Sequence, residues 1–153
     1  MRLFQDTRTL FSFPHTLVLR QGEVILGMAL GWASGDRREK GLCTAWKLFP
    51  FALPRFFLFV PKIFSSGLPP SSYYLSNIAI FPPHQGKGLG RMLLQAVESK
   101  ALEAGDSCVI LDVEKDREKT LSFYLRNGYG RAGTFLSFVR MQKGLLQEQA
   151  FRP

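Results

Sequence analysis

The segment Gln85–Gly90 (QGKGLG) alternates glycines with other residues and has two cations, Lys87 and Arg91, in or beside it. A glycine-rich turn can aim consecutive backbone N–H groups at one point, an arrangement that binds anions and phosphates above all. A nucleoside-triphosphate loop needs G-x-x-x-x-G-K-[ST], and here Lys87 precedes the last glycines instead of following them. A dinucleotide fingerprint needs G-x-G-x-x-G. Counted from Gly86 its last position is Arg91, and counted from Gly88 it is Leu93, although Asp112 stands at a superficially suitable distance. What is left is Q-x-x-G-x-G (Gln85, Gly88, Gly90), whose N–H groups at a helix start suit a pyrophosphate. A tight strand-to-helix connection without a ligand would explain a lone glycine pair; Lys87 and Arg91 favour the anion.

Other chemistry-bearing residues are sparse. His15 and His84 have no second ligand at metal spacing, so no metal site is expected. His84 is read as a solvated loop histidine, with contact to a phosphate as the alternative. Cys43 and Cys108 form neither a CxxC pair nor a disulfide framework, and two buried, inert thiols suit a reducing cytoplasm.

The elements that must position the loop follow from pattern. Thr16–Trp32 reads as two strands around Gln21-Gly22. Tyr73–Phe81 is a strand that Pro82-Pro83 must end, because neither proline can donate to a ladder. Leu89, Leu93, Val97 and Ala101 recur at helical spacing through Arg91–Ala104, and Gly105 is a fitting left-handed stop. Cys108–Val113 has the mostly apolar composition of a strand buried on both faces. Asp116 is expected to cap a helix that runs through Arg126 to Asn127-Gly128, and Leu136–Met141 gives a last strand. Alternating strands and helices in this half predict α/β or α+β with at least one parallel crossover.

From Tyr73 to Tyr129 the sequence resembles the GNAT family of N-acetyltransferases, on SNIAIFPPHQGKGLGRMLL, LDV and LSFYLRNGYG; by order of elements the resemblance runs from Thr16 to Met141. It implies an α+β (α/β-like) GNAT fold: a central mixed, mostly antiparallel sheet, splayed at the cofactor site and flanked by helices. It also implies transfer of an acetyl group from acetyl-coenzyme A to a primary amine of a small-molecule or peptide acceptor. The N–H groups of Gln85, Gly86, Lys87, Gly88, Leu89 and Gly90 would cradle the coenzyme A pyrophosphate, and the Lys87 and Arg91 side chains would offset its charge. Backbone of Ile78, Ala79 and Ile80 would meet the pantetheine arm. Tyr124, matching the tyrosine of F-Y-x-x-x-G-[FY], would protonate the departing thiolate, which a phenol with a pKa near roughly 10 can do. An amphipathic tyrosine packed on the core beside Leu121 and Leu125 is the plainer role.

The sequence departs from the family in three places. Ser76 stands where many relatives carry a glutamate base, so a water held by backbone, or by Ser76 and Asn77, would accept the proton, or else Asp112 or Glu114. Arg117 replaces an asparagine that contacts the cofactor, and is expected to reach a phosphate or to sit in an exposed first turn. Only fifteen residues precede the hairpin, so the family's first strand and helices are expected to be missing or shortened.

Whole-chain arithmetic fits one domain over 1–153 with a Phe/Pro-rich insertion at about 36–72. Six of the 14 Phe fall in Leu48–Phe64, where prolines, Arg55 and Lys62 break any membrane span. That insertion is expected to wall the acceptor site, form a homodimer contact or fill the core. The net charge is +8, yet Lys40–Val97 holds six Lys/Arg and no Asp or Glu. Charge alone suggests nucleic acid, but no basic-and-aromatic motif supports it, and the loop gives Lys87 and Arg91 a nearer partner. The rival function is a catalytically silent acyl-coenzyme A-binding domain.

Overall fold

Apolar and β-branched residues on either side of Gly22 fold into a hairpin. Strand β1 (Thr16–Gln21) pairs antiparallel with β2 (Val24–Ala33), and Gly22 takes φ +58° in the turn. The structure, a computed structural model, describes residues 13–35 and 68–145. The Phe-rich stretch and residues 1–12 lie outside those residues, a 3-10 turn at Phe13–His15 leads into β1, and Ser72, placed at the end of the insertion, already belongs to the next strand.

That strand, β3 (Ser72–Ile80), pairs antiparallel with β2 along its length. The two glycines of β2 that face it are there for space. An added Cβ on Gly27 would stand 2.6 Å from the Ala79 carbonyl oxygen and 2.5 Å from Ile80 Cδ1. Backbone cannot swing aside as a side-chain tip can, so Gly27→Ala must part the strands. The expected loss is about 1–3 kcal/mol, read as a lower urea midpoint at unchanged slope.

A register shift interrupts the pairing. Leu30 faces Asn77 and Gly31 faces Leu75, which leaves Ser76 unopposed as a bulge. The extra residue exchanges the faces of the strand. Before it Tyr73 and Leu75 enter the main core; beyond it Ile78 and Ile80 do.

The chain then crosses through α1 (Leu89–Glu103) to β4 (Cys108–Glu114), which is parallel to β3. Pairing covers only Ser72–Tyr74 against Cys108–Ile110, so the later parts of both strands carry no mutual ladder. This is the splay that the resemblance implies. After α2 (Glu118–Arg126), strands β5 (Gly130–Phe135) and β6 (Phe138–Gly144) form a hairpin, with β6 antiparallel to all of β4. The sheet order is β1-β2-β3-β4-β6-β5.

Two expectations need correction. Arg117, not Asp116, is the residue flanking the start of α2, and no side chain caps it. Leu136, at φ +51°, belongs to the last hairpin turn instead of opening the final strand, and β5 has no counterpart in the sequence reading. The α1 face is as expected in kind: Leu93, Leu94, Val97 and Ala101 are buried, and Gly105 at φ +78° follows the helix end. With Leu121 and Tyr124 of α2 they cover one face of the sheet at Val109, Leu111, Val139 and Met141. The opposite face carries Leu30, Trp32 and Tyr74, the two rings 5.4 Å apart. Among the described residues no helix is long and apolar enough to cross a membrane.

Candidate functional site

Where β3 ends, the chain is anchored twice. The Phe81 N–H donates to the Leu26 carbonyl at 2.9 Å, and the Gln85 side-chain amide donates to the Ile80 carbonyl at 2.9 Å. A short 3-10 turn, Pro82–His84, then leads to Gly86 and Gly88, both at φ +77°. Gly88 flanks α1, whose first turn contains no acidic residue. In this path the N–H groups of Gly86, Lys87, Gly88, Leu89 and Gly90 find no hydrogen-bond acceptor among the described residues. A Cβ at Gly86 or Gly88 would meet nothing within 4 Å. A row of unpaired donors at the positive end of a helix, facing open space, is an anion cradle.

The cradle opens into a cavity of about 480 Å³. Ile78, Ala79 and Ile80 of β3 form one wall, Gln85, Gly86, Gly88, Leu89, Gly90 and Arg91 another, and Tyr124 contributes from α2. Ten of the residues singled out from sequence are thus together. Three others are elsewhere: Lys87 is exposed off the wall, Ser76 donates its hydroxyl to Asn77 Oδ1 at 2.9 Å, and Arg117 pairs with Glu114 at 3.0 Å. The phosphate contact considered for Arg117 therefore has no support in its position, whereas His84 does line the cavity.

Sequence reasoning passed over Lys119, Thr120 and Phe123, which complete the lining. Their spacing with Tyr124 is the signal. Lys119 and Phe123, and Thr120 and Tyr124, are each four residues apart and so lie together along the helix, on the side turned to the loop. Phe123 reaches Gly90, where a Cβ would stand 3.5 Å from its ring.

Tyr124 is 5% exposed, and burial pushes its pKa up to about 12. The phenol is therefore protonated at neutral pH. Its ring is held edge-on between Phe123, at 5.2 Å between centroids, and Tyr129, at 5.5 Å. Tyr129 is fixed in turn: its hydroxyl donates to Glu98 at 3.2 Å, and Lys143 donates to the other oxygen of that carboxylate at 3.0 Å. Burial first, and the Glu98 charge after it, push the Tyr129 pKa up.

The two carboxylates considered as proton acceptors are engaged. Asp112 receives two 2.9 Å hydrogen bonds from the Arg140 guanidinium and one of 3.2 Å from the Tyr74 hydroxyl, on the face of the sheet away from the helices. Glu114 holds Arg117. No carboxylate lines the cavity among the described residues. Nor do those residues contain a cluster that could hold a metal ion.

The sequence model of the Acetyltransferase (GNAT) family matches residues 2–129. Over 63 residues the chain is 40% identical to the mycothiol acetyltransferase of Rhodococcus jostii (strain RHA1), covering 41% of this chain and 21% of that protein. Over 75 residues it is 32% identical to the N-acetyltransferase YhfO of Bacillus subtilis (strain 168), covering 49% of this chain and 50% of that one. The chain thus spans between about a fifth and a half of the length of these relatives. Among solved structures, SsHAT matches with a TM-score of 0.69 at 20% identity, over 86% of this chain and 73% of that one. The PaiA N-acetyltransferase of Thermoplasma acidophilum, solved with coenzyme A, matches with a TM-score of 0.57 at 16% identity, over 84% and 59%. At these identities the likeness to the structures is one of fold.

Proposed function

The chain belongs to the GNAT acetyltransferase family, and from that premise we propose that it transfers an acetyl group from acetyl-coenzyme A to a primary amine of a small-molecule or peptide acceptor. The observation that carries the proposal is the row of unpaired N–H groups from Gly86 to Gly90, whose residues other than Lys87 line the same cavity as Tyr124. The residues fit the cofactor. The cradle suits a pyrophosphate, the open positions above Gly86 and Gly88 admit it, and β3 keeps backbone groups of Ile78–Ile80 on the cavity wall where β4 no longer pairs with it.

When bound, the cofactor supplies an acetyl group already activated as a thioester. The chain's own part is placement and one proton. Loop N–H groups and Arg91 hold the anionic end, and β3 holds the arm straight along its wall, so that a bound amine meets the thioester in a fixed geometry. The Tyr124 hydroxyl, kept protonated by burial, donates to the departing thiolate. With no carboxylate on the wall among the described residues, the ammonium proton of the acceptor leaves through water. Cys108 is buried and its thiol pKa raised chiefly by that burial, as an inert thiol in a reducing cytoplasm would be.

One observation favours a second reading, a silent acyl-coenzyme A-binding domain: the same absence of a carboxylate from the cavity. Titration calorimetry with acetyl-coenzyme A, followed by thiol release against a panel of amines, separates the two. Binding with amine-dependent thiol release is expected. Binding without acetylation of any amine leaves the silent domain, and no binding sinks both.

A further inference from the structure

Three titratable groups off the cavity wall are withdrawn from water, and the acetyl transfer does not itself use them. Tyr129 is buried, and the side chains of Glu98 and Lys143 are only 14% and 17% exposed. The Lys143 ammonium donates to one Glu98 oxygen at 3.0 Å, and the Tyr129 hydroxyl donates to the other at 3.2 Å. Lys143 also stands 6.0 Å from the centroid of the Tyr129 ring. An ion pair so far out of water returns little net stability, because desolvation of the charges offsets their attraction. What the pair does supply is a fixed acceptor for one phenol hydroxyl. It borders a second cavity, of about 300 Å³, between α1 and the end of α2, whose other charged residues are Arg91 and Arg126.

Tyr124 needs such support. Its hydroxyl makes no hydrogen bond among the described residues, so the packing of the ring alone sets where it points. Of the two rings in contact with it, Phe123 is half-buried on the cavity wall, whereas Tyr129 is 2% exposed and tethered. The Tyr129 N–H also donates to the Tyr124 carbonyl at 3.1 Å. The tether thus runs from Glu98 on α1 and Lys143 on β6 through Tyr129 to Tyr124 on α2, and α1 is the helix whose start carries the cradle. We infer that Glu98, Lys143 and Tyr129 are positioning residues of the acetyl transfer, a role that rests on the function proposed above: they hold the Tyr124 ring in a fixed place relative to the cradle, so that its hydroxyl meets the departing sulfur. A misplacement of about 1 Å at a reacting group can cost about 100-fold in rate, which is the scale on which such a tether acts.

The test is Tyr129→Phe, alone and combined with Tyr124→Phe, with kcat and the KM for acetyl-coenzyme A measured on the best amine of the panel. The substitution removes one oxygen and keeps both the ring and the Glu98–Lys143 pair, so the fold is retained. Expected is a fall in kcat of about tenfold with KM unchanged within about twofold, and no further fall when Tyr129→Phe is added to Tyr124→Phe, where no hydroxyl is left to position. A general weakening of the fold would lower kcat by the same factor in both backgrounds; that result, or an unchanged kcat in the single variant, overturns the proposal. A second measurement needs no acceptor: the flip rate of the Tyr124 ring by NMR with labelled tyrosine, its signals assigned by their loss in Tyr124→Phe. Tyr129→Phe is expected to raise that rate several-fold, and an unchanged rate overturns the proposal. Should the intact chain acetylate no amine, the proposed function fails by itself, and the ring rate still decides whether the tether holds Tyr124.

Discussion

Tyr124→Phe is expected to lower kcat about 100-fold while the KM for acetyl-coenzyme A changes by no more than about twofold, since loss of a positioned proton donor is worth roughly 10²–10⁴. The substitution removes one oxygen and keeps the ring. Contacts with Phe123 and Tyr129 persist, so the fold is retained and the deficit belongs to the proton. The pH dependence carries a signature. With the pKa pushed up to about 12, activity stays level past pH 10, where an ordinary tyrosine would already be losing its proton. Stability moves with the same shift. A folded pKa above the unfolded value near 10 means the contribution is present below about pH 10 and is lost as pH rises through about 12. Tyr124→Phe removes that part of the alkaline loss. Thiol release across pH, with urea melts between about pH 9 and 12, measures both; unchanged kcat in the variant would mean that the hydroxyl donates nothing.

What the sequence disclosed depended on the kind of constraint. Gly86 and Gly88 were readable because a left-handed backbone selects glycine locally, and Pro82-Pro83 because they stop a ladder wherever they stand. The helix α1 was readable because its buried face repeats at 3.6 residues. The bulge at Ser76 was not. It arises from pairing with β2, and nothing in YYLSNIAIF shows that the inward face changes from Leu75 to Ile78. Strand β5 escaped for a related reason: it is an exposed edge with glycines at both Gly130 and Gly133, so no apolar alternation marks it. Lys119, Thr120 and Phe123 reach the cavity only because α2 lies across the loop, which is tertiary information.

The carboxylates teach the same lesson from the other direction. Asp112 and Glu114 share a strand face by parity, and parity made both available as bases. Register placed Arg140 opposite Asp112, and the start of α2 placed Arg117 beside Glu114. An acid held by a two-pronged guanidinium has its lone pairs committed, which makes it a poor acceptor for a passing proton. The acid-free stretch Lys40–Val97 thus has a double effect. It leaves the loop positive, and in the proposed reaction it leaves the proton of the acceptor to water.

Gly88→Val tests the cradle itself. The residue sits at φ +77°, a region in which a β-branched side chain is an outlier, and the strain is worth about 1–3 kcal/mol. Its Cβ would project into space that is empty within 4 Å, on the side where the loop's N–H groups are free. Strain and obstruction therefore act together. Acetyl-coenzyme A affinity is expected to fall by about 100-fold or more, from displaced donors and lost room for a phosphate. Destabilisation alone could mimic a binding defect, and Gly105→Val separates the two. Gly105 has φ +78° and equally open surroundings, but it follows the other end of α1 and touches neither cavity. Both variants should lose similar stability in urea, while only Gly88→Val loses affinity by calorimetry. Equal losses of affinity would assign the effect to strain in the fold and remove the cradle from the account; unchanged affinity in both would place the pyrophosphate elsewhere.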